Sequence, residues 1–176
     1  MNNAMRIVLV VMIGFALNMG MGCASSKAWI SSPLIQATGN PYYDTQLQPL
    51  TRKNKFFVSF LLTVTNKTDK DLEIDWNKTR YIHNGHTRGV FVFKGIKPED
   101  VKNDTIPADI ILAEGILLKE ILPYKLLVRA PLSSKAYEAG KISPGLIPAG
   151  KNGILLVVRQ DGKKIVEKMT INIEKK

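Results

Sequence analysis

Between Phe56 and Val64 every second residue is apolar: Phe56, Val58, Phe60, Leu62 and Val64, with Ser59 and Thr63 among the intervening positions and Thr65 following. Side chains alternate across a strand but recur every 3.6 residues on a helix. A repeat of two therefore commits this stretch to a strand with one face in a core. Its aromatic and β-branched residues suit a pleated, half-buried surface. Asn66-Lys67-Thr68-Asp69 then supplies turn chemistry. Beyond it, Leu72, Ile74 and Trp76 alternate with Asp71, Glu73 and Asp75. Two neighbouring strands joined by a short polar turn predict an antiparallel hairpin, with the three carboxylates on its solvated face.

The same signals recur down the chain. Asn84-Gly85 lies between 79–83 and 86–93 and predicts a tight type I′ turn, because both residues accept positive φ. Pro98-Glu99-Asp100-Val101 reads as one helical turn, and 107–112 and 115–129 as extended apolar segments broken by Gly115 and Pro123. Residues 131–150 are loop-like. Ile154–Val158, Asp161-Gly162 and Ile165–Ile173 read as a terminal hairpin closing a sheet. Seven or more short strands with turns between them and almost no helical pattern predict an all-β fold, an antiparallel Ig-like β-sandwich. Trp76, fourteen residues after Leu62, falls near the spacing at which such domains set a tryptophan against an inner face. The likeness is loose, because no cysteine pair bridges the sheets.

The stretch Leu62 to Thr79, with its Asn66-Lys67-Thr68-Asp69 turn and an acidic–apolar strand ending in Trp76-Asn77, resembles a family of uncharacterised bacterial lipoproteins with small Ig-like β-sandwich domains. Pro123-Tyr124-Lys125-Leu126-Leu127-Val128 is similar to a second segment of that kind. The likeness covers residues 55–173. It implies a fold and a cell-envelope address, and it carries no activity or binding residue.

The amino terminus points to the same address. Arg6 precedes the apolar run Ile7–Leu17, and small residues Gly20 and Gly22 lead to Cys23, the one cysteine of the chain. A charged start, a short apolar middle and a small-residue cleavage site make a secretory signal. A thiol directly after that site suits attachment of diacylglycerol and palmitate. The apolar run is shorter than the roughly 20 residues a membrane-spanning helix needs. Two other readings stay open: an uncleaved anchor extended through Met19 and Met21, and cleavage that leaves Cys23 a thiol, since Gly20 stands where lipoprotein signals usually have leucine. The expected organisation is a lipoprotein signal at 1–22, a lipidated start and flexible tether at 23–40, and a sandwich at 41–176. Ala24 after the cysteine, rather than aspartate, points to the outer membrane facing the periplasm.

With 25 basic and 15 acidic side chains the chain carries a formal charge of +10, and the signal holds only Arg6 of the basic set. Export makes nucleic acid an unexpected partner; anionic lipid headgroups and envelope polymers are the negative surfaces outside the cytoplasm. The bland alternative is a solvated lysine-rich surface. At 45% hydrophobic residues the remainder suffices for one packed core, and a single cysteine leaves no intrachain disulfide to support it.

Catalytic chemistry finds little footing. A nucleophilic enzyme needs a base beside its nucleophile, and the chain has two histidines, His83 and His86, both at one turn. No Gly-x-Ser-x-Gly or phosphate-loop pattern occurs, and no cofactor is expected. If Asn84-Gly85 forms a two-residue loop, His83 and His86 face each other across the strands and could share a zinc or copper ion, given a third ligand. Asn66, Asn77 and Asn103, each in an Asn-x-Thr triplet, read as turn and strand-end residues. The tyrosines at 42, 43, 81, 124 and 137 are candidates for a recognition surface, and 94–106 and 130–150 for contact loops. The expected function is a lipid-anchored, non-catalytic binding or assembly module for an envelope protein or anionic polymer. The alternative is a metal-binding envelope protein using His83 and His86.

Overall fold

The computed structural model describes residues 28–52, 55–129 and 142–175. Cys23, Tyr137 and residues 130–141 of the loop expected over 130–150 lie outside the described residues; the rest of that loop includes a strand, Ile142–Pro144. In chain order the strands are β1 (Trp29–Ser32), β2 (Gln36–Gly39), β3 (Tyr43–Arg52), β4 (Phe56–Asn66), β5 (Leu72–Ile74), β6 (Arg80–His83), β7 (His86–Thr87) and β8 (Phe91–Val92). After the single-turn helix α1 (Pro98–Lys102) come β9 (Asp109–Ile111), β10 (Ile116–Pro123), β11 (Leu127–Arg129), β12 (Ile142–Pro144), β13 (Gly150–Gln160) and β14 (Lys163–Lys175). A 3-10 turn, Tyr124–Leu126, separates β10 from β11. Among the described residues no helix is long and apolar enough to cross a membrane.

Two antiparallel sheets pack face to face, as a β-sandwich requires. The first runs β1-β14-β13-β5-β9, with β6 also on β13 and β7 on β6; the second runs β2-β3-β4-β10-β8. Strands β11 and β12 form a separate pair. Alternation explains the layering. Leu62, Val64 and Ile121 of the second sheet and Ile74, Ile154, Leu156 and Val158 of the first are all buried in one cluster. Phe91 ties the layers together, standing edge-on to Phe60 (centroids 6.4 Å) and to Tyr81 (5.9 Å). Fully burying each such side chain contributes about 1.5–3 kcal/mol.

Both predicted turns form. Asn84 (φ 48°) and Gly85 (φ 82°) join β6 to β7, and Asp161 (φ 49°) and Gly162 (φ 75°) join β13 to β14. The helical turn at Pro98 is also present. The terminal hairpin, however, is central: β1 pairs with the outer edge of β14, so the hairpin does not close the sheet.

Four expectations need correction. β4 and β5 are not a hairpin: β4 pairs with β3 and β10, β5 with β13 and β9, and the chain between them crosses from one sheet to the other. Buried Asn66 fixes that corner. Its amide donates to the carbonyls of Lys70 (2.7 Å) and Leu112 (2.9 Å), and its oxygen accepts from the Thr68 backbone N–H (3.0 Å) and hydroxyl (2.9 Å). The apolar faces of β4 and β5 consequently meet across the core instead of lying side by side.

The segment expected as a tether up to residue 40 is partly sandwich. β1 pairs with β14 and β2 with β3, Ser31 is buried, and Trp29 packs on the core. Strands of four residues are too short for their alternation to show above background. Residues 86–93 are likewise not one strand; β7 and β8 belong to different sheets, with Gly89 at φ 116° between them.

Tyr43 and Tyr81 belong to the core, not to a recognition surface. Burial pushes both phenols well above the ordinary tyrosine value, and the Glu167 carboxylate adds to the effect at Tyr43, while the Arg88 charge opposes it at Tyr81. An unfolded chain ionises tyrosine near pH 10. Above that pH unfolding releases protons that the fold retains, so stability falls as pH rises. Denaturant midpoints are expected to hold between about pH 8 and 9.5 and to decline beyond about pH 10. The Tyr81→Phe variant is expected to decline less steeply.

Candidate binding cleft at the open sheet edge

β8 covers only the last two residues of β10, so among the described residues the edge of β10 from Ile116 to Ile121 has no strand beside it. A cleft of about 930 Å³ lies along this edge, between the outer side of β10, residues 93–101 and the β11–β12 pair. Phe93, Ile96, Val101, Leu118, Leu122 and Leu127 supply its apolar wall. Lys94 and Lys97 stand exposed on it, and Glu120 accepts a hydrogen bond from the Ser59 hydroxyl (2.5 Å). Leu118 is 63% exposed, a large apolar side chain with no cover among the described residues.

A polar and aromatic cluster closes the inner end of the cleft. Trp76 and Phe93 pack with ring centroids 5.1 Å apart, and the Lys119 ammonium sits 3.8 Å from the Phe93 centroid. The Asp109 carboxylate accepts from the Trp76 indole N–H (2.8 Å) and from Lys119. Lys119 lies on β10 and Asp109 on β9, so this ion pair clips the two sheets together where both have an open edge. The Lys119 and Asp109 side chains remain only 19% and 25% exposed, so the contact is screened less than a surface pair. An apolar wall with a few placed charges is the chemistry of a non-covalent binding site.

The histidines behave as their spacing implies. His83 and His86 are direct cross-strand partners. His83 Nε2 lies 3.1 Å from the Ala149 carbonyl, a contact in which the ring nitrogen donates. Among the described residues no third histidine, cysteine or carboxylate joins them in a metal-sized group.

The acidic strand also departs from expectation. Asp75 is nearly buried, bonded to Arg159 (2.6 Å) and to the Lys78 backbone N–H (3.1 Å), and so holds the bend between β5 and β6. Asp71 accepts from the Ala113 backbone N–H. Asn77 exchanges hydrogen bonds with the Ile106 backbone and Asn103 ends α1, in keeping with their reading as turn and strand-end residues.

Of the expected contact loops, 94–106 contributes Lys94, Ile96, Lys97 and Val101 to the cleft. The outer side of β10 and the cluster of Trp76, Asp109 and Lys119 were not foreseen. The one available signal was the Lys119-Glu120 pair of charges inside an otherwise apolar strand. Comparison with known protein families, with curated proteins and with solved structures finds no match, so the antiparallel β-sandwich is the level at which this chain is placed.

Proposed function

We propose that the chain is a lipid-anchored cell-envelope protein whose sandwich is a non-catalytic binding or assembly module, with the β10 cleft as its contact site. The observation that carries this reading is the cleft itself: an uncovered apolar wall beside an open strand edge, with Lys94 and Lys97 exposed on it. Those ammonium groups favour an acidic partner, either an envelope protein or an anionic polymer. The signal pattern ending at Cys23 and the resemblance across Leu62–Thr79 support the envelope address. With Ala24 after the cysteine, the expected place is the outer membrane, facing the periplasm.

A photo-crosslinking residue at position 118 tests the site in intact cells. A discrete higher-mass adduct is expected there, lost when Lys94 and Lys97 are both changed to glutamate. The same probe at Ala37, exposed on β2 at the far edge of the same sheet, is expected to give none. Equal labelling at both positions, or none at either, removes the cleft as the contact site.

A further inference from the structure

The outer face of the first sheet has no role in the cleft, and its register gathers charge. In antiparallel strands directly opposed residues point to the same side. Lys164, Arg159 and Glu73 form one row across β14, β13 and β5; Lys168, Leu155 and Arg80 form another across β14, β13 and β6. Between these rows lie Val166 and Val157, and Lys151 stands further along β13 opposite Asn172. Lys151, Arg159, Lys164 and Lys168 are exposed.

Carboxylates offset this only in part. Asp75 is tied to Arg159, Glu73 sits at the end of one row, and Glu174 takes a hydrogen bond from Asn172. Among the described residues, Lys151, Lys164 and Lys168 have no carboxylate within ion-pair distance. Within the face Val166 is 49% exposed beside buried Val157, and Ile110, opposite Glu73 on the edge strand β9, is 56% exposed. Cations beside exposed apolar side chains match an anionic lipid interface, where headgroups meet acyl chains. A purely electrostatic polymer contact would leave Val166 and Ile110 unused.

Chain length agrees. β1 forms the edge of this same sheet and turns Ile30 to the same outer side, opposite Glu174. Trp29 is six positions after Cys23, a reach of about 20 Å even fully extended. A lipid on Cys23 would therefore hold this sheet close to the bilayer.

We infer that the outer face of the β14–β13–β6 sheet docks on an anionic lipid surface, leaving the β10 cleft of the other sheet turned to its partner. The geometry rests on the proposed anchor at Cys23, whereas the chemistry of the face does not. The test therefore uses the chain from Ala24 to Lys176, which lacks the anchor and keeps every described strand.

Flotation with phosphatidylglycerol-containing vesicles is expected to recover this chain at low salt, and neutral phosphatidylcholine vesicles are not. Lys164→Glu with Lys168→Glu is expected to weaken binding on the order of tenfold to thirtyfold. Lys102→Glu with Lys125→Glu makes the same change in net charge on exposed residues away from this face and is expected to cost far less. Equal losses in the two pairs would reduce the effect to net charge and overturn the assignment. Absence of vesicle binding by the unaltered chain would overturn it too, without bearing on the anchor. Binding only to a soluble polyphosphate through the same lysines would give the face to a polymer instead.

Discussion

Replacing Cys23 by serine is expected to abolish a lipid-sized mass on the mature chain and release the protein from the membrane fraction. Acyl chains contribute about 0.8 kcal/mol per buried methylene, and two or more hold a protein where one gives only marginal binding. The unaltered protein should begin at Cys23 by intact mass and stay in the pellet through a wash of about 0.5 M salt, which cuts the Debye length to roughly 4 Å. The serine variant should lack the added mass. Any of it still on the membrane through the basic sheet face should leave in that wash. A membrane-bound protein retaining Met1 would make the apolar run Ile7–Leu17 an uncleaved anchor. A soluble protein without lipid mass would remove the outer-membrane placement.

Truncation of Trp76 to alanine is expected to cost about 3–5 kcal/mol, the range for deleting a large aromatic from a core. The indole is fully buried, packs on Phe93 and donates to Asp109. Its loss opens a cavity at the inner end of the cleft and removes one of the two donors to the Asp109 carboxylate. For a domain of this size each kcal/mol shifts the melting temperature by about 2–4 °C, so a fall of roughly 6–20 °C is expected. Trp76→Phe separates the causes: it keeps most of the packing, loses the indole N–H, and should cost only about 1–2 kcal/mol. Equal losses in the two variants would assign the stability to the hydrogen bond instead of the packing. Calorimetry of both gives the comparison.

The parts of the fold readable in advance are those decided within a few residues. Asn84-Gly85 and Asp161-Gly162 specify their turns because two consecutive residues must take positive φ. The alternation from Phe56 to Val64 specifies which side of β4 is buried. The misreading of β4 and β5 as a hairpin has an equally definite origin. The amide of Asn66 reaches the carbonyl of Leu112, so the corner depends on a segment far along the chain.

The candidate site was less legible for the same reason. Lys119 is brought to Asp109, Trp76 and Phe93 by tertiary packing, since Asp109 and Trp76 lie outside its strand and Phe93 in the segment after β8. The histidine pair, joined by a two-residue loop, was placed correctly because its geometry is local. The proposed signal ending at Cys23 rests on the pattern of the linear chain alone. Local periodicity and turn chemistry thus set the strand faces, the turns and the all-β class, because backbone sterics act between neighbours. Strand partners, the open edge of β10 and the clustering of cations on one sheet face were decided by tertiary packing. Burial of apolar faces is non-directional and selects among many pairings that share the same alternation.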